Sequence, residues 1–150
     1  KTNENKIDAI FISNYSGKKG ADSIGRTVKI IKDSVKTQII LYGDAVVFYP
    51  KPLTELIVEL SHNDKKIDYY SINTDKNYDI LFSDIAKKYN IKYLSKLDAF
   101  CPKLKCKLIF NNTLLTYDHH HLTVPASHEL GKYTKSHYPS FKEISESSIY

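Results

Sequence analysis

Apolar positions fall along this chain in two rhythms, short continuous runs and stripes at helical spacing. Ile7-Asp8-Ala9-Ile10-Phe11-Ile12-Ser13 is compact and rich in β-branched and aromatic residues. It reads as a buried strand that ends at Asn14-Tyr15-Ser16-Gly17. Ile24, Val28, Ile31 and Val35 then recur at a spacing that predicts an amphipathic helix over residues 21–36. Gln38-Ile39-Ile40-Leu41-Tyr42 reads as a second buried strand, stopped by Gly43-Asp44. Strand, helix and strand with short connections form a βαβ unit, which makes the two strands parallel neighbours.

Pro50 and Pro52 break the chain before a short helix expected over 53–60, and the polar stretch 61–76 reads as a surface excursion. Tyr78, Leu81, Phe82, Ile85 and Tyr89 mark a further amphipathic helix over 75–90, followed by a third strand at 91–94. Asn111-Asn112, between 107–110 and 113–117, suits a two-residue hairpin turn. A last helix is expected from His121 to Lys135, with Pro125 tolerated in its first turn. No repeat or linker interrupts the pattern. The expectation is an α/β fold with an open, mostly parallel sheet, as one domain over 1–137 and a Ser-rich tail over 138–150. In such sheets ligands sit at the carboxyl ends of the strands. Asn14, Asp44 and the segment 118–121 all follow strands or open a helix, so they are candidates to converge there.

The 150 residues match one domain, enough to bury about two thirds of the unfolded surface. No apolar run approaches the roughly 18 residues of a membrane-spanning helix. No secretory leader is visible and the chain starts at Lys1, which reads as the boundary of a domain taken from a longer protein. The net charge of +5 comes from scattered lysines, and Arg26 is the one arginine. Bidentate recognition of phosphates and bases is therefore nearly absent, which argues against a nucleic-acid partner. The 12 tyrosines suit half-buried core edges, or the rim of a sugar-binding groove.

Cys101 and Cys106 are separated by four residues, unlike the usual paired-cysteine zinc spacing, and no second pair exists. A local disulfide fits better than two free buried thiols. It would stabilise by about 2 kcal/mol in the chain-entropy model and implies an oxidising compartment.

The sharpest chemical pattern is Tyr117-Asp118-His119-His120-His121-Leu122-Thr123, with an acid three residues before a histidine at a loop-to-helix junction. An Asp that holds an imidazole through Nδ1–H leaves Nε2 to take a proton, which is two thirds of an acyl-transfer triad. Asp118 also suits a plain helix cap or hairpin end. Three adjacent histidines diverge from one another and make a poor metal site, so no metal or other cofactor is implied. Gly43-Asp44-Ala45 superficially resembles a Gly-Asp-Ser nucleophile turn, but Ala45 has no hydroxyl, so a strand-ending turn is the plainer reading. Asn14 is a candidate oxyanion donor, or a turn residue. Ser13 and Ser16 lie outside any Gly-x-Ser-x-Gly elbow, so neither is read as the nucleophile.

The run from Asp98 through Cys101 and Cys106, a hairpin, and then Asp118-His119-His120-His121-Leu122-Thr123 resembles the C-terminal end of SGNH (GDSL-like) domains. More narrowly, it is similar to SGNH domains fused behind membrane acyltransferase-3 proteins, which carry a cysteine pair, a short hairpin and Asp-Asp-x-His-Leu-Ser. Asp118 and His121 match the triad acid and base, and Thr123 stands where Ser is usual. Residues 7–15 resemble the family's third strand and 39–50 its next strand with a proline-bearing loop. The resemblance covers 7–135 and is most specific around 98–123.

It implies a flavodoxin-like α/β/α sandwich, incomplete at its N-terminal side, in a periplasmic or outer-surface location. It also implies transfer of an acyl group, acetyl by expectation, to or from a bacterial surface glycan. The partners so implied are an acyl donor, a glycan acceptor and a membrane acyltransferase domain upstream in the same polypeptide. The family's nucleophilic Ser and its oxyanion Gly block have no counterpart in this chain. The isolated chain is therefore expected to lack turnover, and its first strand to leave a sheet edge open to dimerisation. The competing expectation is a non-catalytic α/β module that binds glycan or protein through its tyrosines.

Overall fold

A computed structural model describes residues 7, 9–13, 17–46, 52–61, 69–71, 77–118 and 121–139. The chain divides into two compact units, one of residues 1–45 and 74–97, the other of residues 46–73 and 98–150.

In the first unit, β1 (Ala9–Ile12), α1 (Gly17–Ser34) and β2 (Gln38–Tyr42) form the expected βαβ unit. β1 pairs with β2 in parallel, with Ile10 opposite Ile39 and Ile12 opposite Leu41. α1 begins before residue 21, because its Gly- and Lys-bearing first turn carries no apolar periodicity to announce it. Ile39, Ile40 and Leu41 are buried, as a central strand covered on both faces requires. Phe11, on the end strand, is more exposed and stacks on Tyr42 with ring centroids 6.1 Å apart.

In the second unit, α2 (Leu53–Ser61) follows the proline break, with Leu53 buried. β3 (Tyr69–Ser71) lies in the stretch expected to be only surface excursion, most of which is outside the described residues.

α3 (Asn77–Tyr89) and β4 (Lys92–Leu94) return to the first unit. β4 lies on the other side of β2, also parallel, so the sheet order is β1-β2-β4. The core here gathers Ile24 and Val28 of α1, Leu41 of β2, and Phe82 and Ala86 of α3. Tyr89 and Tyr93 pack at its margin, the half-buried use expected of tyrosines.

α4 (Lys96–Phe100) crosses the division and was not foreseen, being too short to show a period. Beyond it, Pro102–Leu104 make one 3₁₀ turn within the cysteine loop. β5 (Lys105–Lys107) pairs antiparallel with β3, setting Cys106 opposite Tyr70. β6 (Ile109–Phe110) and β7 (Thr113–Leu114) form the expected hairpin. Asn111 and Asn112 both have positive φ, 47° and 60°. That left-handed pair matches the twist of the flanking strands and is tolerated best by Asn and Gly.

α5 (Val124–His137) closes the unit, starting three residues after His121. Thr123 caps it, accepting from the Ala126 N–H, and Pro125 sits in the first turn where its missing N–H costs nothing. The buried set of this unit includes Phe100, Leu108, Phe110, Leu115 and Ala126. Phe100 and Phe110 meet edge to face at 5.7 Å.

The turn that carries the candidate functional site

Two strands and one helix hold the segment between β7 and α5. Leu115 N–H donates to Leu108 O at 2.7 Å, and Thr123 N–H donates to Leu115 O at 3.0 Å. Thr116 and Leu122 then bridge antiparallel, so the chain leaves and re-enters the hairpin at one point. The Thr123 hydroxyl donates to Leu114 O at 2.6 Å, tying the start of α5 to β7. Thr116 and Leu122 thereby bracket the loop that carries Asp118 and His121, of which His119 and His120 lie outside the described residues.

Within that loop Asp118 and His121 meet. His121 Nδ1 lies 2.5 Å from Asp118 Oδ2. The His121 backbone N–H donates to the other carboxylate oxygen, Oδ1, at 2.8 Å. One carboxylate thus grips both the ring and the backbone of the same residue, which removes most of the ring's rotational freedom. With Nδ1 turned to the carboxylate, proton transfer falls to Nε2.

Thr116 holds the carboxylate from behind. Its hydroxyl donates to Asp118 Oδ1 at 3.0 Å and accepts from the Asp118 N–H at 3.2 Å. Thr116 is 1% exposed, whereas the side chains of His121 and Asp118 are 76% and 47% exposed. The reactive pair faces outward on a buried polar anchor. Such an exposed pair adds little to stability, and its value is orientation. Sequence reasoning missed Thr116. The one signal was a hydroxyl two residues before the acid, the spacing of a local side-chain turn.

Cys101 and Cys106 form a disulfide that closes the loop between α4 and β5. Asp44 Oδ1 accepts from the Ala45 N–H at 2.8 Å, just after β2 ends. Gly43 is required there by close approach. A Cβ at this position would lie 2.5 Å from Asp79 Oδ1 and 2.6 Å from the Tyr93 hydroxyl. Those two atoms are themselves bonded at 2.5 Å, with Ser95 Oγ donating to the same carboxylate oxygen at 3.1 Å. Asn14 lies outside the described residues.

Residues 2–135 match the family model described as SGNH domain (fused to AT3 domains). Among solved structures, the chain is similar to the periplasmic domain of the lipopolysaccharide acetyltransferase of Salmonella ser. Paratyphi A. The two share 22% identity with a TM-score of 0.72, over 87% of this chain and 56% of that one. This chain therefore spans little more than half the length of that domain. At such identity the likeness is one of fold. No curated protein matches the chain.

Proposed function

The chain belongs to the family of SGNH domains fused to AT3 domains, and from that premise we propose that it is the C-terminal portion of a Ser-His-Asp acyltransferase or esterase acting on a bacterial surface glycan. The observation that carries this reading is the 2.5 Å contact between His121 Nδ1 and Asp118 Oδ2. The nucleophilic serine is supplied upstream of residue 1 in the longer polypeptide.

In the proposed reaction His121 Nε2 takes the proton of that serine as its oxygen bonds to the acyl carbon. The proton then passes to the departing group of the donor. In the second half the glycan hydroxyl gives its proton to Nε2 and attacks the acyl carbon, and the serine recovers the proton as its ester bond breaks. Asp118 keeps Nε2 as the acceptor and stabilises the imidazolium formed in each half. Asn14 is assigned from the sequence as a donor to the oxyanion. Acetyl is the acyl group favoured, by analogy with the Salmonella domain.

The family description supports a membrane acyltransferase domain in the same polypeptide. No helix among the described residues is long and apolar enough to cross a membrane. The disulfide favours a periplasmic or otherwise extracytoplasmic position. The family match over 2–135 supports reading 1–137 as one domain with a tail.

The test is His121→Ala in the longer protein, with acyl transfer to the glycan as readout. A loss on the order of 10³-fold or more is expected. Retention of near-normal transfer would leave the domain a binding module.

A further inference from the structure

The first unit carries a second polar group that the triad reading does not use. Ser13 follows β1, Asp44 follows β2 and Lys96 follows β4 by one or two residues each. All three strands of the parallel sheet therefore present a polar residue at their carboxyl ends, the edge where open α/β sheets bind ligands. Lys96 is 8% exposed, yet its Nζ donates to Ser13 Oγ at 2.8 Å. Ser13 itself is exposed. An accessible hydroxyl thus rests on a buried amine.

Two forces act on that amine. Burial penalises its charged form and pushes its pKa below the ordinary lysine value, while the negative charge of Asp44 works in the opposite direction. The first is the larger, so the neutral amine is more accessible than in a solvated lysine. Desolvated lysines of this kind serve as bases to serine nucleophiles on several unrelated folds.

We propose that Ser13 and Lys96 form a Ser–Lys dyad that accepts an acyl group from a small activated ester. Ser13 Oγ attacks the carbonyl carbon as the Lys96 amine takes the hydroxyl proton. The new Oγ–C bond forms, the ester C–O bond breaks, and Lys96 returns the proton to the departing alcohol. The product is one acyl-Ser13 per chain. No strand-to-helix elbow is needed, because the buried amine, rather than a strained turn, prepares the hydroxyl. This inference does not rest on Asp118 or His121.

The test uses the 150-residue chain, p-nitrophenyl acetate at mildly alkaline pH, and peptide mapping by mass spectrometry. Acetyl is expected on Ser13 at least about tenfold faster than on any other residue, a rate ratio worth ~1.4 kcal/mol in barrier. His121→Ala leaves that labelling intact, which separates the dyad from the triad. Lys96→Arg keeps a cationic donor but supplies no base. It is expected to slow Ser13 labelling at least as much. Labelling of Lys96 in place of Ser13, or of neither in the wild-type chain, overturns the proposal. So does full labelling of Ser13 in folded Lys96→Arg, since the ammonium would then be only a structural donor.

Discussion

The two units hold their polar chemistry in opposite ways. At the loop between β7 and α5 the Asp118–His121 pair is exposed and its anchor, Thr116, is buried. At the sheet edge the charged group, Lys96, is buried and the hydroxyl it holds is exposed. The first arrangement costs little, because water still solvates both Asp118 and His121. The second carries a desolvation cost, because an ammonium is held behind the surface with Asp44 as the charge acting on it. Exposure marks a site arranged for orientation. Burial marks one arranged to shift a proton equilibrium.

The contrast is broken most severely at His121. His121→Ala should cost on the order of 10³-fold in transfer by the longer protein while leaving the denaturation midpoint of this chain unmoved. A large drop in midpoint would mean that the pair supports the fold. Gly43→Ala should do the reverse in the first unit. The added Cβ must displace the bonded Asp79 and Tyr93 side chains and meets the Ser95 Cα at 3.3 Å. A loss of about 1–3 kcal/mol is expected, read as a lower urea midpoint with an unchanged slope.

Thr116→Val sharpens the comparison, because it removes the anchor and keeps the exposed pair. Losing the bond to the carboxylate should lower kcat about tenfold with KM unchanged. Thr116→Ser should restore it. A variant that merely loosens the hairpin would shift KM and midpoint as well.

The smallest effect is expected at Lys96. Its folded-state pKa lies below the ordinary value of 10.5, so between the two the unfolded chain binds more protons than the folded one. Stability from this residue therefore rises with pH across that window, and the desolvation cost is present in full below the folded pKa. Lys96→Met should then leave the chain about 0–1 kcal/mol more stable at neutral pH. That difference should narrow as pH rises toward 10.5, measured as the gap between urea midpoints of the two proteins. A widening gap would contradict a buried amine held against its solvation.

Local pattern determined much of this protein. The apolar runs and the four-residue stripe of Ile24 and Val28 specified β1, α1 and β2, because a continuous apolar run and a helix buried on one face leave different periods, although only β2 is buried while β1 leaves Phe11 exposed. Asn111-Asn112 specified its hairpin, because few residues accept left-handed φ twice in succession. The Asp118–His121 pair was legible for the same reason, since its partners are three residues apart and the contact closes within one turn.

Tertiary structure decided the rest. β3 is three residues long and exists by pairing with β5 across more than thirty positions, so no local period could reveal it. Thr116 became an anchor only once the hairpin and α5 were closed around it. Lys96 and Ser13 are 83 residues apart, and each alone reads as an ordinary polar residue beside a strand. The parallel sheet brought their strand ends to one edge, and burial there set the amine of Lys96 apart from a solvated lysine.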